Sequence, residues 1–353
     1  MKTILIIRPD HIGDFIIFTA VLKYYKLHFS DYKIDILCNK CNKDLVIKCP
    51  YIEKTFYIED HYFRKYNYFN KILMWLKFHN LKYDIIIYPV FSRCPKHEWL
   101  LKIIKGKDKI VFQGDSSNDP AWERINNNLN YTMIVPCSNG QMPEIERNLE
   151  FLRGLGFSRK VDKLHTEIWL SEQDYNEAKL IMEKYKISQN EYVVCCPGAY
   201  NSIKHWSVKN WKVLLSRLWG INRNKIVLIG SKKESILLRS LIKNMKKVEI
   251  INLCGEVNLR VLAIIIQKAK FVVGVDSGPI HIAAGMNTPN ICIVGGGHFN
   301  RFYPYGDLNL NRVICNKLDC YDCNWNCLYL KPKCIDSITV DDVVQAIKKT
   351  VTI

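Results

Sequence analysis

Short runs of apolar residues alternate with longer stretches of helical periodicity along the whole chain of 353 residues. In the first half, the runs at 3–7, 33–37, 84–88 and 109–112 predict strands, and apolar positions recur at helical spacing from residue 14. Between 113 and 143 the periodicity gives way to Asn, Ser, Pro and Gly, which predicts a long surface loop. The first half therefore predicts βαβ units and a parallel sheet.

The alternation then starts again. Strands are predicted at 191–196, 225–229, 248–252, 270–274 and 290–294. Helices are predicted at 171–187, 207–219, 232–243, 258–268, from about 277, and at 339–350. The pattern predicts an α/β protein with two Rossmann-like domains, 1–170 and 171–353, in which the last helix could return to the first domain. Ligands of such sheets bind at the carboxyl ends of the strands.

Composition narrows the class of protein. The hydrophobic fraction of 48% is sufficient for two cores. The formal charge of +17 favours anionic partners, although a genome composition that favours Lys codons could produce it alone. Apolar runs fall short of the ~20 residues that a spanning helix needs. MKTILII is interrupted by Arg8 too early for a secretory signal. We expect a cytoplasmic protein, with a peripheral position on the inner face of the cytoplasmic membrane left open.

The first motif with chemical potential is RPDHIGD, residues 8–14, directly after the first predicted strand. Gly13 would permit a tight turn, and Asp14 would open the following helix. A carboxylate there is either a helix cap or a general base that takes a proton from a sugar hydroxyl. Because Gly13 is the only glycine, the motif is not a dinucleotide-binding fingerprint.

The second motif, PGA followed by KHW, lies between a predicted strand and helix. Gly198 would let backbone approach a ligand, and Lys204 is either an exposed lysine or a point charge for a phosphate. Trp206 is expected to seat the next helix.

The third motif, VDSGPIHIAA from residue 275, joins a buried strand to a helix. The N–H groups of Ser277 and Gly278, with the helix dipole, would form an anion site, and the Ser277 hydroxyl would add a donor. His281 lies one turn further on the same side. The alternative is an ordinary capped helix with one core histidine.

Together these segments resemble glycosyltransferase family 9, the lipopolysaccharide heptosyltransferases. The resemblance rests on IRPDHIGDFIIFTAVLKYYK, PGA with KHW, and VDSGPIHIAAGMNTPNICIVGG, in that order. It implies a GT-B fold with a central cleft, an ADP-heptose-like donor, an anionic glycolipid acceptor such as lipopolysaccharide core, and inversion at the anomeric carbon.

The resemblance also implies roles for individual residues. Asp14 would be the catalytic base and Lys204 the donor-phosphate lysine. The donor-binding set would be Gly13, Gly198, Lys204, Glu234, Asp276, Ser277, Gly278 and His281, with Glu234 on the nucleoside. Ala199 and Tyr200 stand where some members carry hydroxyl residues, which leaves donor choice open, and Ser277 replaces the more usual threonine.

Segment 61–79 mixes aromatic side chains with five basic positions: Arg64, Lys65, Lys71, Lys77 and His79. It could contact an anionic acceptor or the bilayer surface. Alternatively, it is an ordinary amphipathic helix that packs Leu73, Trp75 and Leu76 inward.

Four late thiols have the spacing of a compact cluster: Cys320, Cys323, Cys327 and Cys334. They could close a structural zinc or iron site, as in a relative of this family with a cysteine-bound iron finger, or form redox-sensitive pairs or buried free thiols. No cofactor is expected for catalysis.

The leading interpretation is thus an inverting glycosyltransferase that contacts no nucleic acid. Variants of it are another nucleotide-sugar donor, a protein acceptor or epimerase activity. Rivals from other classes are a basic nucleic-acid-binding protein and a nicotinamide oxidoreductase, the latter disfavoured by the missing glycine fingerprint.

Overall fold

The structure is a computed structural model that describes residues 1–59, 68–115, 117–118 and 121–351. The chain divides into two compact units, Met1–Leu164 and His165–Ile353. This division lies close to the boundary expected after residue 170.

Unit 1 contains a six-stranded sheet in which every pairing is parallel. Its order, β3-β2-β1-β4-β5-β6, is that of a doubly wound fold. Strand β1 lies at the centre because Ile4, Leu5, Ile6 and Ile7 are fully buried and need cover on both faces. The strands are β1 (Lys2–Arg8), β2 (Tyr32–Asn39), β3 (Thr55–Ile58), β4 (Lys82–Tyr88), β5 (Lys105–Phe112) and β6 (Met133–Val135).

The helices of unit 1 cover this sheet. They are α1 (Ile12–His28), α2 (Lys43–Val46), α3 (Tyr68–Phe78), α4 (Pro95–Ile103), α5 (Ala121–Asn128) and α6 (Glu144–Gly154). The prediction of one long loop over 113–143 is wrong, because this segment contains α5 and the edge strand β6. The composition of the Asn-rich run is typical of a loop, yet the run forms part of a short helix in which the buried Asn127 donates to Glu98.

Unit 2 repeats the same topology. Its sheet has the order β12-β11-β10-β7-β8-β9, again with parallel pairing throughout. The strands are β7 (Tyr192–Cys196), β8 (Lys225–Leu228), β9 (Ile250–Asn252), β10 (Val272–Val275), β11 (Asn290–Ile293) and β12 (Asn311–Ile314). In both sheets the strand order reverses beside the central strand, between β1 and β4 and between β7 and β10, which is where doubly wound sheets bind ligands.

Two helices of unit 2 begin at capping boxes. In α7, Ser171 and Asp174 form a capping box, and Thr339 and Asp342 do the same for α13. Helix α13 packs on β11, β12 and α8 within unit 2. The helices are α7 (Glu172–Lys184), α8 (Val208–Asn222), α9 (Ser235–Ile242), α10 (Leu259–Gln267), α11 (Gly278–Gly285), α12 (Lys333–Asp336) and α13 (Val340–Thr350).

Helix α3 packs with a face that the sequence did not predict. Met74 and Phe78 are buried, whereas Leu73, Trp75 and Leu76 are exposed. The expected inward packing of those three residues is therefore wrong. Arg64 and Lys65, predicted to belong to the same basic segment, lie outside the described residues. No helix in the described part of the chain is long and apolar enough to cross a membrane.

Candidate active site

The three sequence motifs all lie where the strand order of a sheet reverses. Residues 9–11 follow β1 in unit 1, and the PGA segment and Asp276 follow β7 and β10 in unit 2. Loops at such points leave a crevice between helices that turn to opposite faces of the sheet. Topology therefore places each motif at the ligand-binding edge of its own unit.

Asp14 is the third residue of α1 and is partly exposed. His11, not Asp14, occupies the N-cap position, with extended backbone and no side-chain cap. Gly13 was expected to form a tight turn before the helix, but α1 begins at Ile12, so Gly13 lies inside the first helical turn. A carboxylate in this turn is stabilised by the helix dipole.

A buried arginine behind Asp14 is a feature that sequence reasoning missed. Arg8 is 1% exposed, lies 2.8 Å from Asp10 and 3.4 Å from Glu144, and donates to Pro89 O and Asn148 Oδ1. Burial lowers the pKa of Arg8, but the carboxylates, Asp14 among them, outweigh this and raise it. A charged residue ending a buried strand was the available signal, since such a charge needs partners.

In unit 2, Lys204 and Asp276 form an ion pair at the point where the strand order reverses, between β7 and β10. The Nζ atom of Lys204, on a 3-10 turn after β7, lies 2.6 Å from Asp276 Oδ2 at the end of β10. His281 Nε2 lies 3.4 Å from the other carboxylate oxygen, and His281 Nδ1 lies 3.1 Å from the Tyr305 hydroxyl. Burial would raise the pKa of Asp276, but Lys204 and His281 hold it well below its usual range. Asp276 therefore remains an anion that orients Lys204.

The start of α11 differs in detail from the expectation. Ser277 is the N-cap, but its hydroxyl donates to Val275 O at 3.0 Å, so it is already engaged. Gly278 and Pro279 open the helix. Pro279 has no N–H and the N–H of Ile280 donates to Ser277 O at 3.0 Å, so the N–H of Gly278 is the first-turn group that could meet an anion. His281 is buried beside Asp276.

Gly198 and Glu234, predicted separately, lie against each other. A Cβ atom at Gly198 would be 1.8 Å from Glu234 Oε1. Glu234 also accepts a hydrogen bond from Ser231 N at 2.6 Å, which completes a capping box. Glycine at 198 leaves room for this carboxylate, which a larger side chain would displace.

Trp206 is part of the core. It is 1% exposed, packs edge-on against Trp211 and donates to Ile338 O at 2.9 Å. This agrees with its expected role in seating the following helix.

Comparison with known proteins identifies the family of this chain. Residues 80–329 match glycosyltransferase family 9 (heptosyltransferase). The chain is 25% identical over 296 residues to lipopolysaccharide heptosyltransferase 3 of Escherichia coli, covering 80% of each chain. The chain belongs to glycosyltransferase family 9.

Two solved structures show the same fold. A family 9 glycosyl transferase from Veillonella parvula superposes with a TM-score of 0.77 at 15% identity, covering 99% of this chain and 97% of that one. The E. coli heptosyltransferase WaaC, solved with ADP-2-deoxy-2-fluoro heptose, gives 0.69 at 20% identity, covering 99% and 100%. The family 9 assignment confirms the predicted family, the GT-B type of α/β fold and the enzyme class, and it leaves the nucleic-acid and nicotinamide alternatives without support.

The late cysteines of this family 9 enzyme gather around one cavity. Cys320, Cys323, Cys327 and Cys334 all line it, and Gly296 N donates to Cys334 Sγ at 3.4 Å. Burial first, then the neighbouring thiols, raises the pKa of Cys334. Within the described residues, however, no three Cys, His, Asp or Glu side chains form a metal-ligand group. The thiols are therefore neighbours without being a ligand set as they stand.

Proposed function

We propose that this enzyme moves a heptose or a related sugar from an ADP-sugar to a cell-envelope glycolipid such as lipopolysaccharide core, with inversion. The observation that carries the proposal is the Lys204–Asp276–His281 network beside the start of α11. The names of the relatives, heptosyltransferases among them, support the sugar and the acceptor.

On the donor side, the task is to stabilise charge on a leaving diphosphate. The ammonium of Lys204 and the N–H of Gly278 at the start of α11 are donors of the required sign. Lys204 would exchange part of its contact with Asp276 for a phosphate oxygen when the donor binds. Glu234, fixed against Gly198, would accept a hydrogen bond from the nucleoside.

On the acceptor side, Asp14 would take the proton of the attacking hydroxyl. The new bond joins the acceptor oxygen to the anomeric carbon, while the bond from that carbon to the diphosphate oxygen breaks and ADP leaves with the electron pair. Attack opposite the leaving group inverts the centre. On this proposal, these groups would carry out the transfer without a cofactor.

A donor screen tests the reaction. Purified enzyme with acceptor extracted from the native envelope should turn over ADP-heptose faster than other ADP-, UDP- or GDP-sugars. Preference for another donor, transfer to protein, or epimerisation of the donor would each replace the proposal with that activity. Absence of turnover with every donor would end the transferase assignment for this substrate class.

Helix α3 supports a peripheral membrane contact. Five large apolar side chains point away from the unit 1 core, with exposures of 68% for Phe69, 57% for Ile72, 43% for Leu73, 46% for Trp75 and 55% for Leu76. Exposed Lys71 and Lys77 flank this apolar face. An outward apolar face edged by lysines suits the headgroup boundary of an anionic bilayer, which is where a glycolipid acceptor resides.

Vesicle sedimentation tests this contact without turnover. We expect wild-type enzyme to bind acceptor-free anionic vesicles and the double variant Ile72→Ser/Leu76→Ser to bind at least about tenfold more weakly, since each buried apolar side chain contributes roughly 1.5–3 kcal/mol. Leu180→Ser is the matched control, because Leu180 is 66% exposed on α7 of unit 2. Equal binding by the double variant and wild type would contradict the contact.

For the cysteine cluster, we propose a structural role for one zinc or iron ion held by Cys320, Cys323, Cys327 and Cys334. The support is that all four thiols line one cavity. Thiolates in this number are suitable ligands for either ion. Elemental analysis of purified enzyme should find about one ion per chain, and a stable metal-free protein would refute the site.

A further inference from the structure

We infer that Trp325 is a positioning residue for Lys204, and that the cysteine-rich loop 318–334 is therefore part of the donor site. The inference rests on the proposed role of Lys204 in gripping the donor diphosphate. It concerns a residue that neither the motif pattern nor the family resemblance singled out.

The indole of Trp325 lies against the glycine turn that follows β11. A Cβ atom at Gly297 would come within 2.4 Å of the Trp325 ring, and one at Gly295 within 2.9 Å. Between them, a Cβ at Gly296 would meet the ring of Tyr321 at 2.6 Å. Three successive glycines thus provide a flat backbone surface for two aromatic rings, which explains why the turn lacks side chains.

Hydrogen bonds tie the loop to the same turn. Asp322 N donates to Gly296 O at 2.7 Å, and Asn324 N donates to Gly297 O at 3.0 Å. The Trp325 indole N–H donates to His298 Nδ1 at 3.3 Å, which leaves the Nε2 hydrogen of His298 for Asn324 Oδ1 at 2.5 Å. The ring plane of Trp325 is therefore fixed at its edge as well as at its face.

The backbone of this loop is held in an unfavourable conformation. Asp322, Asn324 and Trp325 have φ values of 62°, 48° and 61°, in the left-handed region. Asp and Asn tolerate that region, but a bulky tryptophan rarely does. Such a conformation persists only where surrounding contacts over-determine it, and residues of this kind cluster at functional sites.

The contacts that hold Trp325 place its ring beside Lys204. The Lys204 ammonium lies 5.3 Å from the centre of the indole, while Asp276 holds the same nitrogen at 2.6 Å. The face of an indole attracts a cation without carrying a charge. Trp325 can therefore keep Lys204 in place when a diphosphate draws the ammonium away from Asp276, because a ring without net charge repels the incoming anion less than a carboxylate does.

A double-mutant cycle read by nucleotide binding tests the inference. Titration with ADP, or with the nucleoside diphosphate of whichever donor the screen identifies, should show Trp325→Leu binding about three- to thirtyfold more weakly, the range expected for loss of a cation–π contact. Trp325→Phe retains a ring and should recover most of the affinity. In a Lys204→Ala background, Trp325→Leu should weaken binding no further.

Trp219→Leu is the matched control. The ring centre of Trp219, on α8 of the same unit, lies 5.3 Å from the guanidinium of Arg223, the C-cap residue of that helix. The Trp219→Leu variant therefore loses an equivalent cation–π contact away from the donor site. We expect unchanged ADP binding there.

Equal losses from Trp325→Leu in the wild-type and Lys204→Ala backgrounds would show that the tryptophan acts only through folding and would overturn the inference. If Trp325→Leu does not fold, Trp325→Phe is compared in the same two backgrounds. A Trp325→Phe loss that disappears in the Lys204→Ala background, or wild-type affinity for Trp325→Phe, supports the inference, and a loss equal in both backgrounds overturns it. Failure of the wild type to bind any nucleoside diphosphate would instead remove the proposed function, and the inference with it.

Discussion

The two units have the same strand order, yet their reversal points have opposite chemistry. In unit 1, a short loop leads from β1 into α1 and presents the carboxylate of Asp14, with the buried Arg8 behind it. In unit 2, a longer segment after β7 brings Lys204 back to the end of β10, where Asp276 meets it. The difference teaches that topology determines where a ligand can bind, while the loops determine which reaction is possible.

The substitution expected to have the largest effect is Asp14→Asn, which tests the carboxylate of unit 1. Removing a general base should lower kcat about 10²- to 10⁴-fold, while the Kd for the nucleotide stays within about twofold because Lys204 and the start of α11, which we propose to bind the diphosphate, are in unit 2. Steady-state kinetics and calorimetry measure the two quantities. Asp31→Asn, an exposed carboxylate of the same unit, is the control. Near wild-type turnover would remove Asp14 from the role of base.

Lys204→Ala tests the positively charged group at the reversal point of unit 2. Hydrogen bonds to charged groups contribute about 1.5–3 kcal/mol, so donor binding should weaken roughly 10- to 150-fold, with slower turnover. Lys209→Ala, an exposed lysine shortly after it, should bind donor normally. Unchanged donor affinity in the Lys204 variant would show that this lysine does not bind the donor diphosphate.

Asp276→Asn tests how much the ion pair with Lys204 contributes to stability. Since Lys204 is partly exposed, we expect a loss of about 2 kcal/mol in unfolding free energy at neutral pH, less than for a fully buried pair. Because the pKa of Asp276 is depressed in the folded state, this contribution is present above the ordinary carboxyl pKa of about 4 and is lost as pH falls towards the folded value. Denaturant unfolding at several pH values should show the wild type and the variant converging in acid.

Gly198→Ala is expected to have the smallest effect. The new methyl group displaces the Glu234 carboxylate and breaks its bond to Ser231 N, at a cost of about 1 kcal/mol. Gly220→Ala is the control, since a Cβ there meets nothing within 4 Å. Thermal unfolding separates the two, and equal stability of both variants would show that Glu234 relocates without cost.

The sequence predicted the central strands because their aliphatic runs are long and uninterrupted. It missed the edge strands β3, β6 and β12, which have only three or four residues and partial exposure. Short edge strands bury little surface and so leave little periodicity to detect.

The side of α3 that packs could not be predicted for a different reason. Both faces of this helix are apolar, so periodicity cannot choose between Met74 with Phe78 and the five exposed side chains. Only the shape of the neighbouring strand, where Phe56 packs edge-on against Phe78, decides it.

The candidate site shows a similar division. The positions of Lys204 and Asp276 after strands were predictable, but their ion pair was not, because it joins segments 72 residues apart. Trp325 gave no signal at all, since its place depends on three glycines and a left-handed backbone that sequence patterns do not specify.

The Lys204–Asp276 pair also bears on selectivity between a nucleotide-sugar and small anions such as inorganic phosphate. The lysine is neutralised by the Asp276 carboxylate at 2.6 Å. A lone inorganic phosphate must therefore compete with that carboxylate for a single ammonium. If Lys204 binds the donor as proposed, a nucleotide-sugar would bring further contacts along its length, and this internal competitor would then favour it over abundant phosphate.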